Sequence, residues 1–133
     1  MTAIVLAAGV GKRLHAASGG KPKCLIEIGG RSLLVRLLSG LAAAAALLRR
    51  GFTRLGLQCL LPAERHSNTI TALRIPPGHT YATLHDGLKR RGFVIYEGQG
   101  KLREEVFRIA NMGHLGRPDF ERCLVALGEV LRA

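Results

Sequence analysis

The sequence predicts an α/β fold in two uneven pieces. Three observations carry that expectation. A short unbroken apolar run, Ala3-Ile4-Val5-Leu6-Ala7-Ala8, stops at Gly9 and Gly11, the pattern of a strand buried on both faces that runs into a glycine turn. Leu33, Leu34, Leu37, Leu38 and Leu41 then recur at helical spacing. Beyond residue 56, short β-rich runs alternate with helical segments that carry their own caps.

Taken in order, the first strand covers residues 3–8. A polar, glycine-rich stretch leads to Lys21-Pro22-Lys23, and residues 24–28 read as a second short strand closed by Gly29-Gly30. Ser32 is placed to cap a helix that begins at Leu33. The alanines 42–46 propagate it, Arg49 and Arg50 suit the negative end of its dipole, and Gly51 is the expected C′ residue. Residues 57–61 form a strand ended by Pro62. Residues 68–75 form another, which stops at Pro76-Pro77-Gly78. Thr80 caps a helix carrying Tyr81, Leu84 and Leu88 that ends at Gly92. Residues 93–96 and 106–110 are strands. Pro118 suits the first position of a last helix with a core stripe of Phe120, Leu124, Leu127 and Leu131. The second piece is thus expected to be a layer of about four strands under two covering helices.

The chain has 133 residues, and 47% hydrophobic content is enough for a packed core. Its net charge is +11, from 20 Lys and Arg against 9 Asp and Glu. The basic residues are scattered and aromatics make up only 5%, so the interleaved basic and stacking surface of a single-strand nucleic-acid binder is not there. Cys24, Cys59 and Cys123 are far apart, with no metal-ligand spacing among them or to a histidine, and read as reduced thiols. The most apolar stretch, residues 33–48, contains Arg36 and Ser39 and is shorter than the ~20 residues that cross a bilayer. A cytoplasmic protein without membrane partners is expected.

The stretch Leu6-Ala7-Ala8-Gly9-Val10-Gly11-Lys12-Arg13-Leu14 can hold an anion. Its glycines permit close backbone approach, successive N–H groups form a nest, and Arg13 supplies a charged fork. A Walker A loop is excluded because Arg13, not Ser or Thr, follows Lys12; a dinucleotide fingerprint is excluded because Leu14 stands where its third glycine belongs. The Leu-Ala-Ala-Gly-x-Gly-x-Arg pattern, followed by Pro22-Lys23 and by Gly29-Gly30-Arg31-Ser32, resembles the sugar-phosphate and molybdenum-cofactor-type nucleotidyltransferase superfamily over residues 2 to about 43. That resemblance implies nucleotide-phosphate binding by Leu6, Ala8, Gly9, Gly11 and Arg13, with Lys23 as the catalytic residue at the α-phosphate. It also implies a nucleoside triphosphate (CTP) and Mg²⁺. The family's metal-binding Asp has no counterpart, since Asp86 and Asp119 are the chain's only aspartates and lie in its later half.

From about Leu47 the pattern changes. His66-Ser67-Asn68-Thr69, Leu84-His85-Asp86, Gly92-Phe93-Val94-Ile95-Tyr96, Gly98-Gln99-Gly100 and Phe107-Arg108-Ile109-Ala110-Asn111-Met112-Gly113 resemble the C-terminal small domain of class V pyridoxal-phosphate-dependent aminotransferases, nearest the 2-aminoethylphosphonate–pyruvate transaminases. Arg108 alternates with Phe107 and Ile109 and so points away from that apolar pair. The resemblance makes it the residue that holds the substrate's acidic group. It also implies pyridoxal phosphate, although Lys12, Lys21, Lys23, Lys89 and Lys101 all lack the context of a Schiff-base lysine. His66 and His85, with no partner carboxylate expected, read as packing or surface residues.

The resemblances divide the chain into residues 1–45, a β-loop-β-α fragment of a nucleotidyltransferase domain, and residues 46–133, an α+β aminotransferase small domain. Cytidylyltransferases resembling the first half occur fused ahead of such transaminases. Three functional readings follow. The chain is an internally deleted remnant of a bifunctional transferase with little or no turnover; or a small nucleotidyltransferase that completes its site as a homo-oligomer; or a non-catalytic accessory protein that docks on a full-length homologue.

Overall fold

The computed structural model describes Gly19 and residues 21–133. The predicted first strand and the phosphate loop, with Leu6, Ala8, Gly9, Gly11, Lys12 and Arg13, lie outside the described residues. The chain divides into two units, Met1–Gly40 and Leu41–Ala133.

In the first unit, a 3-10 turn at Lys23–Leu25 precedes strand β1 (Glu27–Ile28), which pairs antiparallel with β2 (Arg31–Ser32). The strand expected over residues 24–28 is therefore cut to two residues, because Pro22 and Lys23 supply carbonyls that close a turn onto Leu25 and Ile26. Gly29 and Gly30 have φ of 57° and 71°, the two consecutive positive values that a tight hairpin turn requires. The Arg36 guanidinium donates to the Ile28 carbonyl and ties the hairpin to helix α1 (Leu33–Arg54). Ser32 caps that helix as expected, its Oγ accepting from the Val35 N–H at 3.2 Å.

Helix α1 continues into the second unit, where Ala45, Leu48, Gly51 and Phe52 form its buried stripe. It runs past the expected stop at Gly51. Gly56 (φ 76°) is the terminating residue: the Gly56 N–H donates to Thr53 O and the Leu57 N–H to Phe52 O, the paired bonds of a Schellman motif. Gly51 serves packing instead. A Cβ there would lie 2.3 Å from Leu124 Cδ1, so the bare glycine lets the Leu124 side chain lie directly against the backbone of α1.

Strands β3 (Ile70–Arg74), β4 (Tyr96–Glu97) and β5 (Val106–Ala110) form an antiparallel sheet in the order β3-β5-β4. The strand expected at residues 57–61 is reduced to a bridge between Cys59 and Leu73. Gly56 turns the chain just before it and Pro62 follows, leaving room only for the Gln58–Arg74 and Leu60–Ala72 backbone bonds. Residues 93–95 likewise do not pair, because the Schellman turn at Gly92 (Phe93 N–H to Leu88 O) holds their start against the preceding helix. The sheet therefore has three strands where about four were expected.

Helix α2 (Tyr81–Lys89) begins at Thr80, whose Oγ1 accepts from the Thr83 N–H at 3.2 Å while Thr83 Oγ1 accepts from the Thr80 N–H at 3.0 Å. Helix α3 (Arg117–Val130) starts at Gly116, whose N–H is bound by Asp119 Oδ2 at 2.9 Å. Pro118 stands at the second helical position rather than the first. Of the expected stripe on α3, Phe120 and Leu127 are buried, while Leu124 and Leu131 are half-buried, and Cys123, Ala126 and Val130 complete the buried face. The core joins Leu48 and Phe52 of α1, Leu84 and Leu88 of α2, Phe107 of β5 and Leu127 of α3. Asn111, buried just after β5, donates from Nδ2 to the Leu41 and Asn68 carbonyls at 3.2 and 2.9 Å, closing α1 and the approach to β3 onto the end of the strand.

Candidate functional site

Along β5 the side chains alternate. Phe107 and Ile109 are buried against the helices, and Arg108 is half-buried on the opposite face. The register sets Ala72 of β3 and Tyr96 of β4 on either side of Arg108. Ala72 leaves room beside the guanidinium. Tyr96, exposed, forms the other wall.

Arg108 Nε donates to the Glu97 carbonyl at 3.0 Å, which fixes the plane of the guanidinium. Its two Nη groups have no acceptor among the described residues. Glu97 itself turns to Arg103, with Oε1 and Nη2 2.5 Å apart, and the hydrogen bond from Arg103 holds the Glu97 carboxyl below its ordinary value. That carboxylate is therefore occupied by Arg103, and its charge is offset there. The result is an oriented, partly desolvated guanidinium with a free fork, suited to a carboxylate, phosphate or phosphonate.

The remaining sequence expectations fall elsewhere. Lys23 is exposed at the start of the 3-10 turn in the first unit. His66 is half-buried with Nε2 2.8 Å from the Leu61 carbonyl, a packing role. His85 differs from expectation in having a carboxylate partner: its Nδ1 lies 2.9 Å from Asp86 Oδ1, and its ring packs on Tyr81 with centroids 5.4 Å apart. Sequence reasoning missed Tyr96 and Glu97 as neighbours of Arg108. Their signal was the strand composition of residues 93–96, but composition does not say which strand lies alongside.

Pyridoxal phosphate, implied by the aminotransferase resemblance, requires a lysine for its aldehyde and an anion for its ring nitrogen. Lys21, Lys23, Lys89 and Lys101 are all exposed. Asp86 is bound to His85, and Asp119 is occupied by the Gly116 N–H and Arg122. The described residues do not fit the cofactor. Among them, no three His, Cys, Asp or Glu side chains converge to hold a metal ion, and no helix is long and apolar enough to cross a membrane.

No protein-family model matches the chain. The chain is 39% identical over 88 residues to a 2-aminoethylphosphonate–pyruvate transaminase of Syntrophobacter fumaroxidans, a match covering 64% of this chain and 23% of that protein. The chain thus spans about a quarter of the length of the curated relatives it matches. Among solved structures, an aspartate aminotransferase of subgroup IV from Thermus thermophilus superimposes with a TM-score of 0.67 at 33% identity, over 75% of this chain and 28% of that one. A pyridoxamine–pyruvate aminotransferase from Mesorhizobium loti gives 0.62 at 30% identity, over 75% and 26%. The C-terminal region of the chain is therefore similar in sequence to 2-aminoethylphosphonate–pyruvate transaminases, and it has a mixed α/β fold like that of aminotransferases.

Proposed function

We propose that residues 46–133 are an aminotransferase small domain in which Arg108 holds the acidic group of a phosphonate or carboxylate substrate. On this reading they are joined to residues 1–45, the N-terminal fragment of a nucleotidyltransferase domain. The chain is then an internally deleted remnant of a bifunctional transferase acting on 2-aminoethylphosphonate, with little or no turnover of its own. The observation that carries the reading is the guanidinium of Arg108, oriented by the Glu97 carbonyl on the sheet face opposite the core, in a fold like that of aminotransferases. The poor fit of the described lysines to pyridoxal phosphate supports the loss of turnover.

The test has two arms. Titration of 2-aminoethylphosphonate into the purified chain, followed by NMR of arginine side chains, should shift Arg108, and the shift should vanish in Arg108→Gln. Incubation with pyridoxal phosphate, 2-aminoethylphosphonate and pyruvate should form no alanine, and incubation with CTP and Mg²⁺ should transfer no cytidylyl group. Turnover in either assay overturns the remnant reading. An unshifted Arg108 overturns its binding role.

The exposed Tyr96 and Ile70 beside Arg108 favour a second reading, in which this sheet face docks on a full-length homologue as an accessory chain. Co-expression with such a homologue should then give a complex that Tyr96→Glu disrupts. Two species migrating separately on size exclusion would exclude it.

A further inference from the structure

Strands β3 and β5 set four side chains at the corners of a rectangle on the open face of the sheet. The register places Arg74 opposite Val106 and Ala72 opposite Arg108. Residues two apart on a strand share a face, so Arg74 and Arg108 stand on one diagonal and Ala72 and Val106 on the other. Such diagonal neighbours lie roughly 7–8 Å apart, within reach of long side chains. Ala72, between the two arginines, carries a single methyl. Val106, the other shared neighbour, is 1% exposed. It is closed over from the β4 side, where a Cβ on Gly98 would collide with the Leu102 carbonyl and with Val106 Cγ2. The backbone under Arg74 is held from both sides, by β5 and by the Gln58 carbonyl that accepts its N–H at 2.9 Å.

Neither arginine takes part in an ion pair among the described residues. Arg108 gives only its Nε–H to the Glu97 carbonyl, and Arg74 is exposed. The Glu97 carboxylate on β4 is bound to Arg103. A carboxylate carries one charge and two oxygens, which one guanidinium fork satisfies. A doubly ionised phosphonate or phosphate monoester carries twice that charge and a third oxygen, enough for Arg108 and a second guanidinium at once.

We propose that Arg74 is a second binding residue beside Arg108, and that the pair selects a dianionic three-oxygen head group, of a phosphonate or a phosphate monoester, over a carboxylate. The inference rests on the reading that Arg108 holds the substrate's acidic group. Arg108 supplies the oriented fork for either anion, and Arg74 supplies the charge that only the dianion needs.

Methylphosphonate, methyl phosphate and acetate serve as probes of the intact chain at low ionic strength, with affinities read from the arginine Nε–H signals by NMR. Where the two phosphorus acids are doubly ionised, they should bind at least about fivefold more tightly than acetate. At a pH where they carry one charge the preference should fall below about twofold, since both arginines stay charged throughout. Arg74→Gln should weaken the two dianions at least about fivefold and acetate less than about twofold. Arg74→Lys, which keeps the charge, should restore most of the preference. Arg108→Gln should abolish binding of all three, and the tighter of the two dianions identifies the source of the head group. Binding that survives Arg108→Gln overturns the reading of Arg108 itself. Loss of binding in Arg108→Gln, with the dianions unaffected by Arg74→Gln or all three anions weakened alike, overturns the role of Arg74 alone. No binding of methylphosphonate by the unaltered chain overturns both.

Discussion

Helix α1 carries nearly the same apolar pattern along its whole length, yet its two halves differ. In the first unit, Val35, Leu37 and Leu38 are exposed and no residue from 21 to 40 is buried. In the second unit, Ala45, Leu48 and Phe52 are at most 2% exposed. Helical periodicity says that a face is available for burial. The partner, here Leu84, Phe107 and Leu127, decides whether burial happens, and most helical stability comes from that packing rather than from propensity.

The sharpest way to break this comparison is a pair of truncations. Phe52→Ala removes a fully buried ring and should cost ~3–5 kcal/mol by chemical denaturation. Leu37→Ala, on the same helix but more than half exposed, should change stability by less than ~0.5 kcal/mol. If Leu37→Ala proved as costly as Phe52→Ala, the first half of the helix would have a partner of its own.

The two helix glycines sharpen it further. Gly51→Ala forces a methyl into Leu124 and should destabilise by ~1–3 kcal/mol. Gly40→Ala meets nothing within 4 Å and should stabilise by up to ~1 kcal/mol through helix propensity alone. Opposite signs at equivalent chemistry would localise the packing to the second half.

Removing the cap of α2 is a milder test. Thr80→Ala loses the bond to the Thr83 N–H and should cost ~1 kcal/mol, seen as a lower denaturation midpoint with unchanged slope.

Acid should act most gently. The Gly116 N–H bond holds the Asp119 carboxyl below its ordinary value, and the bond from Arg103 does the same for Glu97. Carboxylates lowered in this way contribute stability that is present above the ordinary value near ~4 and lost as pH falls through the native one. Stability of the second unit should therefore decline below about pH 4. Chemical denaturation repeated above and below that pH checks it.

The sequence made some elements legible and not others, for local reasons. Thr80, Gly92 and the alternation around Arg108 act through their own neighbours, and α2 and β5 appear where they were expected. Gly51 was misread because a glycine after Arg49 and Arg50 resembles a helix stop, whereas its role is set by Leu124, more than seventy positions away. Residues 57–61 and 93–96 have strand composition, but each is shortened by a glycine turn whose bonds reach back into the preceding helix. The face of Arg108 was readable from period two. Its companions Tyr96 and Glu97 were not, since register is a property of two strands.

The short strands have a further consequence for how this sheet meets other chains in solution. A free sheet edge presents a row of unsatisfied amides and carbonyls that a second molecule can extend. On the β3 side that row is taken by the Leu60 N–H, which bonds Ala72 O, and by Gln58 O, which accepts from the Arg74 N–H. On the other side β4 lasts only two residues, and the Tyr81 hydroxyl claims the Ile95 carbonyl just ahead of it. Strand addition and edge-to-edge aggregation thus have little backbone to grip in the folded second unit, and self-association by that route should require the unit to open first.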